Sequence, residues 1–554
     1  VAPPVRIAFL GGLGEIGRNC AAVEIEGKIL LIDCGLMFPD QEMPGVDLVL
    51  PDFSWLRERA SAIVGCVLTH GHEDHTGGLA YLLRDVPLPA IYGSALSLGL
   101  ARSRIEEAGL LDRTTFVPVG DGERRDIGPF VVEFIPVTHS VPHGFALALH
   151  TPQGVVLHTG DFKLDLRPVD GRLTDLSRIG ALASGPGIRL LLSDSTNAEE
   201  QGHSASETSV GEVLRQVFAR SAGRRVITAC FASHIHRIQQ IADAAVAEGR
   251  KLATLGRSMA KNVALARSLG LMQIPESALV DIEEVDRLAP GEVCVISTGS
   301  QGEAMSALTL MASGENRWLR IGRGDVVVLS SHAIPGNESA VAKVIDGLVR
   351  RGAEVVHAGV AEVHTTGHAK ADELRTMLAV ARPQSFIPVH GEFRHLSNHA
   401  RLAIEMGVPE DSVLICEDGD VVVLADGRID FDGEVPARYT FVDGIVGGVS
   451  HGVLRDRRVL AEEGVVVVVV TVDPRSGELV TKPEIVARGW IGDAEAEPLV
   501  AEARERVAAV ITEQQEKGVA DPDAYRRLVR ATVGRLVSER TRRRPMIVPV
   551  VVEA

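Results

Sequence analysis

The sequence predicts an α/β protein in three parts: an interrupted domain of short strands, a parallel α/β block inserted into it, and a small C-terminal α/β domain. Three observations carry this. The chain is 554 residues long, which suits several domains at roughly 100–200 residues each. Its first part reads as short apolar runs, each closed by a polar residue, Gly or Pro. From about residue 206, strand and helix patterns alternate at the spacing of a parallel sheet covered on both faces.

In chain order, strands are expected over residues 28–33, 63–69, 131–137, 146–150, 155–159 and 189–193. The middle block then alternates. Strands 225–230, 251–255, 292–297, 325–329 and 354–357 are interleaved with helices 236–248, 259–269, 303–312 and 338–351. A helix over 374–381 leads to strand 385–389 and another His, where the chemistry of the first segment resumes. The boundaries expected are 1–205 and 361–440 for the interrupted domain and 206–360 for the insertion. Residues 441–462 read as a Gly-rich linker and 463–554 as the last domain, with strands 464–472 and 546–552 and helices 497–516 and 523–541.

Composition narrows the function classes. The formal charge of −17 argues against a simple basic nucleic-acid module, because phosphate binding needs local Lys and Arg. No apolar run reaches the roughly 18–20 residues of a membrane span, and the first residues carry no secretory pattern. The six cysteines are scattered without a CxxC pair, which reads as reduced thiols in a cytoplasmic protein. The 18 histidines cluster, and they carry the chemistry.

His70, His72, Asp74 and His75 (HGHEDH) stand directly after the strand 63–69. Imidazole and carboxylate are good ligands for Zn²⁺ and Mn²⁺. His139, Asp161 (in HTGDFK) and His390 (in PVHGE) each follow a further apolar strand. Seven ligands exceed one tetrahedral site and suit two divalent ions, with Asp161 as the bridge.

The order HGHEDH, THS, HTGDFK, PVHGE resembles the ligand order of the metallo-β-lactamase fold. The block SDSTN around Asp194, the inserted α/β segment and HTTGH at 364–368 resemble the β-CASP nucleases. GGLGEIGRN, FASHIHRIQQ, GRSM, STGSQGE and RRRPMIVPVVVE are similar to the ribonuclease J group within them. The resemblance covers essentially the whole chain. It implies a metallo-β-lactamase αββα sandwich with an inserted parallel α/β β-CASP domain and a small C-terminal α/β domain.

The resemblance also implies roles. His70, His72 and His139 would hold one ion, and Asp74, His75 and His390 the other, with Asp161 shared. Hydroxide bridged by the two metals (Zn²⁺ or Mn²⁺, with Mg²⁺ as an alternative) would attack the phosphodiester. Asp74, Asp194 and His368 would be catalytic. Ala232, Ser233 and His234, with His364, Thr365, Thr366, Gly367 and His368, would bind substrate. Ser233, a strand-end hydroxyl before a helix N-terminus, suits a 5′-monophosphate. The expected activity is 5′-to-3′ exoribonuclease and endoribonuclease action on single-stranded 5′-monophosphorylated RNA, in RNA maturation and decay. Homodimers or homotetramers would form through the C-terminal domain, and RNA-decay proteins are candidate partners. A hydrolase of small esters or lactams would not need the insertion or the Asp194 and His368 motifs.

Other features are weaker. Gly12, Gly14 and Gly17 fit GxGxxG, but a β-like run follows, so they read as a hairpin beside the metal cleft rather than a dinucleotide site. Asp33 and Asp40 read as structural, and His143, where the family often carries Asp, as a support residue. Asp47 and Asp443 are candidates for a structural divalent ion such as Ca²⁺. Eight arginines between Arg526 and Arg544 form a basic stretch expected to serve assembly.

Overall fold

A computed structural model of the chain describes residues 2–40, 42–303, 305–334, 337–444, 446–518 and 521–554. It separates into two compact units. One comprises residues 1–38 and 48–440, and the other residues 39–47 and 441–554.

The first unit contains two facing sheets. One is eight-stranded, with the antiparallel strands Val5–Gly11 and Cys20–Ile25 near its centre and Lys28–Ile32 beside Ile63–Val67. The other is six-stranded, in the order Ser385–Val389, Ile188–Asp194, Gly154–His158, Gly144–Thr151, Phe130–Val137, Arg124–Ile127. Apolar residues from both, among them Ile7, Val23, Leu30, Phe134, Leu147 and Leu192, fill one core. The β-branched and aromatic runs therefore form strands whose inward positions bury against the opposite sheet. The glycines after Val5–Gly11 do turn the chain into an antiparallel neighbour, as the hairpin reading expects.

The inserted block is a five-stranded parallel sheet ordered Lys251–Leu255, Val293–Ser297, Val226–Ala229, Val326–Leu329, Glu354–Val356. Alternate residues of its strands enter two different cores. Val226, Ile296 and Val328 lie on one side, and Ile227, Val295 and Val327 on the other. Burial on both faces explains why the strands read as continuous apolar runs. The expected helix 303–312 is shorter. It spans Ala307–Ser313 and starts where the Ser306 side chain accepts the Thr309 N–H. The helix Ala95–Glu107 lies in a region that reads as strands.

In the second unit, Val465–Val472 pairs antiparallel with Glu484–Arg488 and parallel with Met546–Glu553. Val466, Val468 and Val470 pack on Val507, Ile511, Val529 and Val533 of the helices Asp493–Glu516 and Pro522–Thr541. The linker expected over 441–462 is corrected in part. His451–Glu463 is an α-helix whose Ser450 cap accepts the Val453 N–H, and Val446–Val449 is a strand. The Gly-dense composition masked a Ser cap followed by strong helix formers. Residue 445 lies outside the described residues.

Candidate metal centre

Strand topology brings the seven predicted ligands together. Gly154–His158, Ile188–Asp194 and Ser385–Val389 are adjacent and parallel. Their C-terminal ends therefore deliver Asp161, Asp194 and His390 side by side, where parallel sheets place their sites. His139 follows Phe130–Val137. His70 follows Ile63–Val67, and His72 caps the short helix Glu73–Thr76 that carries Asp74 and His75. Gly35 permits this packing, since a Cβ there would lie 1.6 Å from the Asp74 carbonyl oxygen.

Donor atoms of His70, His72, His139 and Asp161 lie within 4.8 Å of one another, and so do those of Asp74, His75, Asp161 and His390. In the first set, His70 Nε2 is 3.0 Å and His139 Nε2 3.2 Å from His72 Nδ1. Ligands about 2.0–2.1 Å from a tetrahedral ion sit roughly this far apart. In the second, His390 Nε2 is 3.3 Å from Asp74 Oδ2 and His75 Nε2 3.2 Å from Asp161 Oδ2. Asp161 Oδ2 is buried with no hydrogen-bond partner. It lies within 4.0 Å of Nε2 of His70, His75 and His139, so one carboxylate oxygen faces donors of both sets, as suits a ligand shared by two cations. The donor set therefore fits two divalent cations.

Electrostatics agree for the first position. Burial lowers His72 to about 4 and His139 to about 3. Both are thus neutral near pH 7, the state that ligates a metal. His390 and Asp33 hold left-handed backbone conformations, φ +54° and +59°, a strain typical of functional positions.

Beside the ligands, His368 Nδ1–H donates to Asp194 Oδ2 at 2.7 Å. Burial works against charge on His368, but the Asp194 carboxylate prevails and raises its pKa. The His368 ring lies 5.0 Å from that of His139 and 5.5 Å from that of His390.

Four family models match the chain: Metallo-beta-lactamase superfamily over 13–217, Ribonuclease J beta-CASP domain over 223–348, Zn-dependent metallo-hydrolase RNA specificity domain over 354–413, and Ribonuclease J C-terminal domain over 452–554. Ribonuclease J of Mycobacterium tuberculosis is 43% identical over 550 residues, covering 99% of this chain and 97% of that protein. The chain belongs to the ribonuclease J family. Ribonuclease J2 of Bacillus subtilis is 37% identical, covering 99% and 98%. A crystal structure of a protein of unknown function from Enterococcus faecalis shares the fold, with TM-score 0.54 and 14% identity, over 76% of this chain and 100% of that one. As a ribonuclease J family member, this protein is a metal-dependent hydrolase acting on RNA. Among the described residues no helix is long and apolar enough to cross a membrane.

The two segments that the ribonuclease J resemblance marks for substrate also meet, with the His234 and His364 rings 6.5 Å apart. Their residues differ in access. Ser233, His364, Thr366 and His368 are partly exposed. His234 is 1% exposed, 3.6 Å from Glu207 Oε1. Thr365 is turned inward, its hydroxyl donating to the Ala205 carbonyl. Both are therefore buried, but only the Thr365 hydroxyl is engaged by a wall carbonyl, while His234 Nε2 makes no hydrogen bond. Ser233 lies just outside the helix Ile235–Ala247, whose cap is His234, and the Ala232 carbonyl accepts from Asn262.

Asp47 and Asp443 belong to none of the ligand groups found among the described residues. Asp443 faces the Arg457 guanidinium, and Asp47 Oδ2 accepts the Gly444 N–H at 2.7 Å. His143 is among none of the ligand groups found in the described residues.

Sequence reasoning underrated Asp33 and missed Thr196. Asp33 Oδ2 lies 2.7 Å from His75 Nδ1, and Asp33 also accepts from the Thr69 N–H and hydroxyl. Thr196 Oγ1 donates to Asp194 at 2.7 Å and lies 2.8 Å from His390 Nδ1. The SDSTN block contained the signal for Thr196: a hydroxyl two residues after a strand-end Asp can bond it in an Asx-like turn.

Proposed function

We propose that this chain removes nucleotides from the 5′ end of 5′-monophosphorylated single-stranded RNA and also cuts internally. The observation that carries it is the His368–Asp194 pair beside two ligand sets that share Asp161. His70, His72 and His139 would hold one ion, and Asp74, His75 and His390 the other. When bound, these ions supply a low-pKa water and positive charge at the scissile phosphate.

The chain's own residues do the rest. Asp194 fixes His368 with Nδ1 as donor and favours the charged ring, so Nε2–H can give its proton to the 3′-oxygen as the P–O3′ bond breaks. The phosphate then stays on the 5′ end of the downstream RNA. Ser233, Thr366 and the backbone around Gly367 would anchor the terminal phosphate and set the first linkage over the ions. Zn²⁺ or Mn²⁺ suits the donor set, Mg²⁺ less so. A cytoplasmic location and assembly into dimers or tetramers through the C-terminal domain complete the reading.

The test is one 3′-labelled RNA prepared with 5′-monophosphate or 5′-triphosphate. The pocket takes one phosphate, so monophosphate RNA should yield mononucleotides faster. Equal exonucleolytic rates on both ends would contradict the anchor.

A further inference from the structure

The 364–368 loop touches the three-histidine position directly. His139 Nδ1–H donates to the Gly367 carbonyl at 2.7 Å in a buried bond between residues 228 apart in sequence. This bond sets the tautomer, leaving Nε2 bare beside His72. The contact is tight. A Cβ on Gly367 would lie 2.7 Å from His139 Cε1, 2.9 Å from Nδ1 and 3.0 Å from Ser140 Oγ. The ring and the loop backbone therefore cannot shift independently.

The loop is anchored to the other ligands too. Thr366 Oγ1 accepts from Asn197 Nδ2 at 2.8 Å, next to the Thr196 that contacts His390. Ala369 N–H donates to the Phe162 carbonyl at 2.7 Å, next to Asp161.

We infer that Gly367 is a positioning residue for His139, and that through it occupancy of the loop by a nucleotide 5′-phosphate and loading of the three-histidine ion favour each other. The inference rests on the reading of 364–368 as the terminal-phosphate pocket. A phosphate that orders the loop holds the Gly367 carbonyl, and with it the His139 ring, in its ligating pose. An ion on His139 Nε2 orders the loop in return, and such linkage is reciprocal.

The test uses the full chain stripped of metal. Mn²⁺ is titrated by calorimetry and electron paramagnetic resonance, with and without saturating uridine 5′-monophosphate. One of two ions should bind about 5-fold or more tightly with the nucleotide, the nucleotide should gain the same factor from Mn²⁺, and uridine should do nothing. Gly367→Ala should weaken one ion about 10–100-fold, spare the other and abolish the linkage. Wild-type affinity for both ions in G367A overturns the positioning role. Linkage that persists in G367A shows the phosphate binding the ion directly, and also overturns the inference. Failure of the nucleotide to bind contradicts the pocket reading instead, and the ion affinities of G367A still decide the role of Gly367. If G367A loses both ions together with its thermal stability, the wild-type titration decides: unchanged Mn²⁺ affinity overturns the linkage.

Discussion

Asp33 Oδ2 accepts a hydrogen bond from His75 Nδ1–H at 2.7 Å, behind the ligand cluster and 2% exposed. The bond leaves Nε2 of His75 as the ligand and makes the ring more basic. Asp33→Ala should weaken metal binding about 10–100-fold with the fold retained, as read by metal content after dialysis and by circular dichroism. Unchanged metal content would show that Asp33 only ties the strand end to Thr69.

The Asp194–His368 pair predicts a shift in the pH profile. Asp194 raises the His368 pKa against the effect of burial. An acid works while protonated, so activity should fall on the basic side at the raised pKa. Asp194→Asn removes the stabilising charge and should move that limb to lower pH, besides slowing the reaction by about 10²–10⁴-fold. A profile that falls in rate without moving would remove His368 as the proton donor.

Glu133 lies in the strand Phe130–Val137 that leads to His139. It meets Arg178, Arg124 and His150. Burial alone would raise its pKa, but these partners lower it to about 2. A depressed carboxylate contributes stability that is present above its unfolded pKa and lost as pH falls through the folded one. Glu133→Gln should therefore cost about 1.5–3 kcal/mol near neutrality, and the difference from wild type should shrink from about pH 4.5 towards about pH 2. Denaturant titrations across that range check it. A constant difference would mean that packing, not charge, is what Glu133 supplies.

Much of the centre was legible because it is local. HGHEDH places four donors within six residues, and His139, Asp161 and His390 each follow a strand whose apolar run is unmistakable. What was not legible depends on residues far apart in the chain. Asp33 reads as an ordinary strand-end acid until the Ile63–Val67 neighbour brings Thr69 and His75 against it. Gly367 reads as a pocket residue until folding closes the 228 positions to His139. His234 sits in a motif implying substrate contact, yet helix packing buries it against Glu207. The strand Glu484–Arg488 carries too short an apolar alternation to show by itself.

The most direct test of a metal-dependent ribonuclease built on these ligands is cleavage of end-labelled RNA by metal-stripped protein, with and without added Mn²⁺ or Zn²⁺, for wild type, His72→Ala and Asp74→Ala. Activity should be absent without metal, return with it in the wild type, and leave a 5′-phosphate on the downstream fragment. Neither variant should regain it at any metal concentration that saturates the wild type. RNA cleavage by both variants, or by stripped wild type in the presence of chelator, would contradict the assignment.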